Sequence, residues 1–289
     1  MTNDEHRAQF DFEIDFSNGG GIQGQGFRLD IDGDDISHAE LAAYIVADMR
    51  LLMVGEVRIL NKEIITEPHK RSAGTGERVD LSHVIEDGMV TYPGLPAPVI
   101  CDFLSRERSR EQYAPGTEFQ IGTIELCSNT GTYLDSPFHR YADGSDLAGL
   151  SLERLAELDA VVVDASGRAI DRDQLLPYAV RGKAVLVRTG WDRHWGTEAY
   201  FHGHPFLTAA AAEHLAAEGA VLAGIDSLNI DDTSGGERPV HSILLAAGIP
   251  ICEHLTNLAA LPVEGARFSA VPPRVHGMGT FPVRAYAVI

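Results

Sequence analysis

Within Cys127-Ser-Asn-Thr-Gly-Thr-Tyr-Leu-Asp-Ser-Pro-Phe-His139 a carboxylate, Asp135, and an imidazole, His139, stand four residues apart around Pro137. Proline lacks a backbone donor and keeps Ser136 out of helical geometry, so both side chains are presented from an extended or turned segment and can converge on one point. Such a pair acts either as metal ligands or as an acid/base couple, because both groups offer a lone pair and histidine titrates near neutrality. The alternative is an aspartate that caps the turn and a histidine that bonds a carbonyl. His194, His202 and His204 have no helical or hairpin spacing and are assigned no metal. Cys127, two residues before Asn129, reads as a buried thiol before it reads as a nucleophile. Trp191 and Trp195 either wall a pocket or belong to a core.

Several elements must position these groups. Phe119–Cys127 alternates as a strand and leads directly into the cluster, which is thus expected in a strand-end loop. Further strand-like runs follow at 160–164, 184–188, 220–225 and 249–252. Between them, Thr208-AAAAEHLAAE-Gly219 has a hydroxyl N-cap, an alanine body and a glycine stop, and a second helix is expected over 241–247. Before the cluster, Phe10, Phe12, Ile14 and Phe16 alternate, as do Phe27, Leu29 and Ile31, around Asn18-Gly19-Gly20-Gly21, a hairpin pattern and not a nucleotide fingerprint. Ser37 with Glu40 forms a capping box ahead of a helical pattern, and 57–60 reads as a strand. A ββαβ module over 1–68, a glycine- and charge-rich linker over 69–78 and a mixed α/β domain over 79–289 are therefore expected.

The 289 residues suffice for one or two domains with a sizeable core. A formal charge of −19 disfavours nucleic acid, and the first 60 residues, with 12 acidic and 4 basic side chains, make no cradle for an anion. Three widely spaced cysteines propose neither zinc ribbon nor redox pair. No apolar run reaches the roughly 18 residues of a membrane span, and the N-terminus lacks a signal-peptide layout, so a cytoplasmic protein is expected.

The cluster resembles the signature of the cyclase or kynurenine-formamidase-like family, His-x-Gly-Thr-His-x-Asp-x-Pro-x-His, standing here as Asn129-Thr-Gly131-Thr132-Tyr133-Leu-Asp135-Ser-Pro137-Phe-His139. Val79-Asp-Leu-Ser-His83, Met89-Val-Thr-Tyr-Pro93-Gly94, Val185-Leu-Val-Arg-Thr-Gly190-Trp191, Gly224-Ile-Asp226, His241-Ser-Ile-Leu-Leu and Glu253-His-Leu-Thr-Asn257-Leu match in the same order. The likeness covers about residues 79–289 and leaves the N-terminal unit aside. It implies a swivelling β/β/α fold, a homo-oligomer, to which the N-terminal hairpin edge could add strands, and a small-molecule substrate. It also implies a divalent metal, zinc or manganese, whose bound water attacks an amide or ester carbonyl. By resemblance Asp135, His241 and Glu253 fall on ligand positions and His139 on the position that orients or deprotonates the water. Thr132, Trp191 and His204 are the candidate substrate-binding residues. Asn129 and Tyr133 stand where the family has two histidine ligands, and both are poor partners for zinc.

Three readings follow. A metal persists on Asp135, His241 and Glu253, with Tyr133 or His139 added, an oxygen-rich set that suits manganese or magnesium better than zinc. Or the site is metal-free and works by general acid/base catalysis, with Tyr133 as proton donor or oxyanion partner, His139 or His241 as base, and Asn129 holding a carbonyl. Or the chain is a non-catalytic ligand-binding relative. The second is the expectation taken forward: a hydrolase-like enzyme acting on a cyclic amide, lactone or N-acyl compound, or else one that closes or opens a ring, with kynurenine formamidase activity itself disfavoured by the two replaced histidines.

Overall fold

The computed structural model describes residues 5–31, 33–49, 51–67 and 76–289. Contacts divide the chain into two compact units, Met1–Ala73 and Gly74–Ile289. Most of the stretch expected as a linker, residues 69–75, lies outside the described residues.

In the first unit the strand Glu5–Phe16 runs between Gly21–Asp30 and Val54–Glu67, antiparallel to both. Ala8, Phe10, Phe12 and Ile14 turn to one face, as a period of two requires, and are buried there with Leu41 and Ile45 of the helix His38–Asp48. The Ser37 side chain accepts from the Glu40 amide while the Glu40 carboxylate accepts from Ser37 N, so both ends of the capping box are made. The third strand is much longer than the apolar run at 57–60, because Arg58 and Lys62 on it are balanced by Asp15 and Asp35 and hide the alternation.

The second unit is built on a nine-stranded mixed sheet in the order Thr280–Pro282, Tyr133–Asp135, Ile251–Glu253, Leu222–Ile225, Ala184–Arg188, Leu158–Asp164, Glu264–Ser269, Tyr286–Val288, Arg78–Asp80. The four strands from Ile251–Glu253 to Leu158–Asp164 are parallel. Both faces of this part are covered, which is why the strands read as continuous apolar runs. Val162, Leu186 and Leu222 join one core with Leu134, Cys252 and Phe268. Val161, Val163, Val185, Val187 and Ile225 join the other with the helices Ala209–Glu218 and Pro239–Ala246. Thr208 caps the former helix and Gly219, at φ +79°, ends it in the left-handed conformation. Among the described residues no helix is long and apolar enough to cross a membrane.

Two expectations are corrected. The strand expected over Phe119–Cys127 spans only Ile121–Glu125 and pairs with Val99–Leu104 in a separate two-stranded sheet that is exposed on both faces. Alternation shows that a strand has two faces but not that a core covers either. Asp135, expected in a loop, lies instead in the strand Tyr133–Asp135, whose neighbours on both sides satisfy its backbone, and Pro137–His139 is a short 3₁₀ turn beyond it.

That turn rests on Gly279. A Cβ at Gly279 would sit 2.4 Å from His139 N and 2.5 Å from its Cα, and the Gly279 carbonyl accepts the Ser136 amide at 2.7 Å. Gly279→Ala is expected to lower stability by about 1–3 kcal/mol through overpacking, read as a shift of the urea midpoint; an unchanged midpoint would show that the turn yields without cost.

Candidate active site

The sheet register assembles one polar face. Glu253 pairs with Tyr133, and Asp135 pairs with Thr280, while Tyr133 and Asp135, two apart, point the same way. Asp135, Tyr133 and Glu253 are all at most 1% exposed. His241 enters from the first turn of the helix Pro239–Ala246 and is 5% exposed. Its orientation comes from Asp231, whose carboxylate accepts from His241 Nδ1 at 2.6 Å and from the Val240 and His241 amides at 2.8 and 3.0 Å. One carboxylate thus serves the open amides of the helix start and fixes the imidazole, since a ring donating from Nδ1 to a carboxylate turns Nε2 toward the sheet.

His241 Nε2 lies 3.6 Å from Asp135 Oδ2 and 3.7 Å from Glu253 Oε1, too far for hydrogen bonds and close enough for a shared charge. Asp135 Oδ2 is buried and, among the described residues, has no hydrogen-bond partner. Its other oxygen accepts from the Thr280 hydroxyl. That hydroxyl has a single proton and gives it to Asp135, so it accepts from His139 Nδ1, 2.7 Å away, and leaves His139 Nε2 as the lone-pair nitrogen. Asp135, His139 and His241 each offer a ligand atom within 4.8 Å of the others.

Glu253 is held on every side: Oε1 accepts the Ile230 amide at 2.6 Å, and Oε2 accepts the Tyr133 hydroxyl at 2.5 Å and the Asn229 amide at 3.4 Å. The Asn129 side chain reaches the same tyrosine hydroxyl. Burial, then the Glu253 and Asp135 charges, push the Tyr133 phenol well above its ordinary value and keep it neutral. Burial likewise raises Glu253 to about 7, against the pull of His241. Burial also opposes a charge on His241, but the Glu253 carboxylate, with Asp135 and Asp231, outweighs it and raises the imidazole to about 10.

Asn129, Tyr133, His139, His241 and Glu253 line one cavity of about 240 Å³, together with Tyr92, Leu95, Arg140, Asn229 and Arg238. Thr132, Trp191 and His204 do not line it. The Thr132 hydroxyl donates to the His254 carbonyl, Trp191 Nε1 donates to the Tyr200 carbonyl, and His204 sits between the Pro205 carbonyl and Thr233. Asp231, Thr280 and the two arginines are the residues that sequence reasoning passed over. Asp231 carries a faint signal, a carboxylate ten residues before His241; Thr280 reaches Asp135 only through sheet pairing.

Residues 79–232 match the model of the Cyclase family, described as "Putative cyclase". The kynurenine formamidase of Bacillus cereus is 28% identical over 183 residues, 63% of this chain and 83% of that protein. An isatin hydrolase bound to the product analogue thioisatinate has the same fold, with a TM-score of 0.63 at 24% identity over 74% of this chain and 92% of its own. A protein described as a potential metal-dependent hydrolase with cyclase activity gives 0.60 at 24% identity, over 73% and 96%.

The Thr280 relay has a spectroscopic consequence. At a pH where His139 is neutral, its ring should show the Nδ1–H tautomer in long-range ¹H–¹⁵N spectra. Thr280→Val should move a large share of it to Nε2–H, whereas Thr280→Ser should not. An unchanged tautomer in Thr280→Val would remove the relay.

Proposed function

Because the chain belongs to the Cyclase family, we propose that it is a hydrolase of a small carbonyl compound, an amide, lactam or N-acyl substrate, working in the cavity around Asp135, His139, His241 and Glu253. The observation that carries this reading is Asp135 Oδ2, a buried carboxylate oxygen without a partner that faces His241 Nε2 across 3.6 Å. Glu253 Oε1 lies 3.7 Å from the same nitrogen, Asp135, His139 and His241 each bring a ligand atom within 4.8 Å of the others, and the second nitrogen of His241 is already held by Asp231. Such a donor set fits one divalent cation, and its oxygen-rich character favours manganese over zinc. Asp135, His241 and Glu253 would hold the ion. When bound, it would polarise the substrate carbonyl and lower the pKa of water.

The protein's own groups supply the rest. His139, with Nδ1 committed to Thr280, offers Nε2 as the base that takes a proton from the attacking water. Asp231 holds the His241 ring in one tautomer. Tyr133 donates to Glu253, with Asn129 reaching the same hydroxyl, and both stand where the family signature has histidines. Those two residues place a neutral hydrogen-bond chain where the signature has two imidazole ligands, which leaves the remaining carboxylates and imidazoles to hold one cation. The formamidase and isatin hydrolase names of its relatives support an amide-type substrate.

A second reading dispenses with the metal. The imidazolium of His241, raised to about 10 by its acidic neighbours, would then supply the positive charge, and general acid/base catalysis would run through His139 and Tyr133. Turnover of formanilide by the purified protein tests both. The single-cation reading expects a loss of at least about tenfold after chelation, restored by manganese or zinc; unchanged turnover after chelation supports the second, and no turnover of formanilide, N-acyl anilines or lactams under either condition overturns hydrolysis.

We also propose that the protein pairs with a second copy through the two-stranded sheet of Val99–Leu104 and Ile121–Glu125. Phe103 is 70% exposed there, Ile121 46%, and Ile100 and Ile124, cross-strand partners on one face, 41% and 52%, apolar surface that a monomer would leave in water. Light scattering should give a dimer or larger, and Phe103→Asp with Ile121→Asp should give a monomer; a wild-type monomer would refute the surface.

A further inference from the structure

The cavity has two sides of opposite charge. The Glu253 carboxylate lines it on one side, whereas two guanidinium groups, Arg140 and Arg238, line it as well, in a chain where acidic residues outnumber basic ones 42 to 23. Among the described residues neither arginine forms an ion pair. Arg140 Nε donates to the Ser242 hydroxyl at 3.2 Å, and its guanidinium lies 5.3 Å from the Tyr141 ring centre. Arg238 spends Nη1 on the carbonyls of Asp232, Gly235 and Glu237 at 3.2, 2.9 and 2.7 Å. Ser242 joins the two, since its hydroxyl accepts from Arg140 and donates to the Arg238 carbonyl at 2.8 Å. Ser242 thus holds the Arg140 fork and the loop carbonyls hold the Arg238 fork, both on the cavity that His241 lines, while among the described residues most of their donors remain without a protein acceptor. A guanidinium held this way matches a carboxylate with two parallel donors and loses little side-chain freedom in doing so. Tyr92 and Leu95 add an aromatic and an apolar surface to the same cavity.

We propose that Arg140 and Arg238 form a carboxylate subsite beside the reacting centre. Resting on the hydrolase reading above, this narrows the substrate class to small amides or lactams that carry a carboxylate on an aromatic or apolar body. The carboxylate docks on the arginines and the scissile carbonyl reaches toward Asp135, His139 and His241. The subsite also separates the substrate's negative charge from the buried carboxylates Asp135 and Glu253, which would repel it.

Benzoate and benzamide are nearly the same shape and differ in charge, so their binding to the full-length protein by titration calorimetry isolates the subsite. Benzoate is expected to bind at least about tenfold more tightly than benzamide, and its affinity to fall as ionic strength rises. Arg140→Gln and Arg238→Gln should each weaken benzoate about tenfold and shrink the benzoate-to-benzamide ratio accordingly. Arg140 is exposed and touches one hydroxyl and one ring, so its substitution tests the subsite even if Arg238→Gln loosens the 232–237 loop. Equal binding of the two probes, or benzoate affinity indifferent to Arg140→Gln, would overturn the subsite. Because binding needs no turnover, the two proposals fail separately. Hydrolysis of formanilide without benzoate preference removes the subsite alone, and benzoate preference lost in Arg140→Gln without any hydrolysis removes the hydrolase reading alone.

Discussion

Two carboxylates, Asp135 and Glu253, are buried side by side on one sheet face, and the second unit can hold them only if positive charge or hydrogen bonds offset the loss of water. Glu253 accepts three hydrogen bonds and is largely provided for. Asp135 is not: one oxygen takes the Thr280 hydroxyl and the other faces His241 unbonded. In both proposed readings a cation, a metal ion or the protonated imidazole, completes that arrangement. The proposed chemistry therefore draws on the same carboxylates that are awkward to fold around.

The scaffold meets this demand through sheet register. Short central strands pair so that Tyr133 meets Glu253 and Asp135 meets Thr280, each pair linked by a side-chain hydrogen bond. Slipping either pairing by one residue would turn the polar set into the apolar core and carry Leu134 or Cys252 into the cavity. His241 depends on a different device, a helix start whose open amides and imidazole share one acceptor, Asp231. Rigid strands thus supply the carboxylates, and a capped helix supplies the imidazole.

Local signals were legible in the sequence. The helix Ala209–Glu218 carries its cap, body and stop within twelve residues, and the capping box of Ser37 and Glu40 lies within four. The parallel strands could be read from apolar runs alone, and Asp135 with His139 from their spacing about Pro137. The ordered series of motifs extended this to Tyr133, His241 and Glu253, all of which line one cavity. Thr280 was not legible, because 145 residues separate it from Asp135 and only strand pairing joins them. The same holds for Arg140 and Arg238, whose nearness to each other depends on Ser242 in the intervening helix turn. The exposed sheet of Val99–Leu104 and Ile121–Glu125 was misread for the opposite reason, since its local pattern is that of an ordinary half-buried strand.

Metal content bears on the proposed binding of one divalent cation by Asp135, His241 and Glu253 without any assumption about substrate. The protein and its Asp135→Asn variant would be loaded with manganese or zinc, freed of excess and analysed by plasma mass spectrometry, with circular dichroism confirming that both are folded. About one equivalent is expected on the native protein and a loss of most of it in the variant, because the unpartnered oxygen is the one that an amide replaces or weakens. A native protein that retains none, or a variant that binds as much as the native chain, would contradict it and leave the buried charge to the imidazolium of His241.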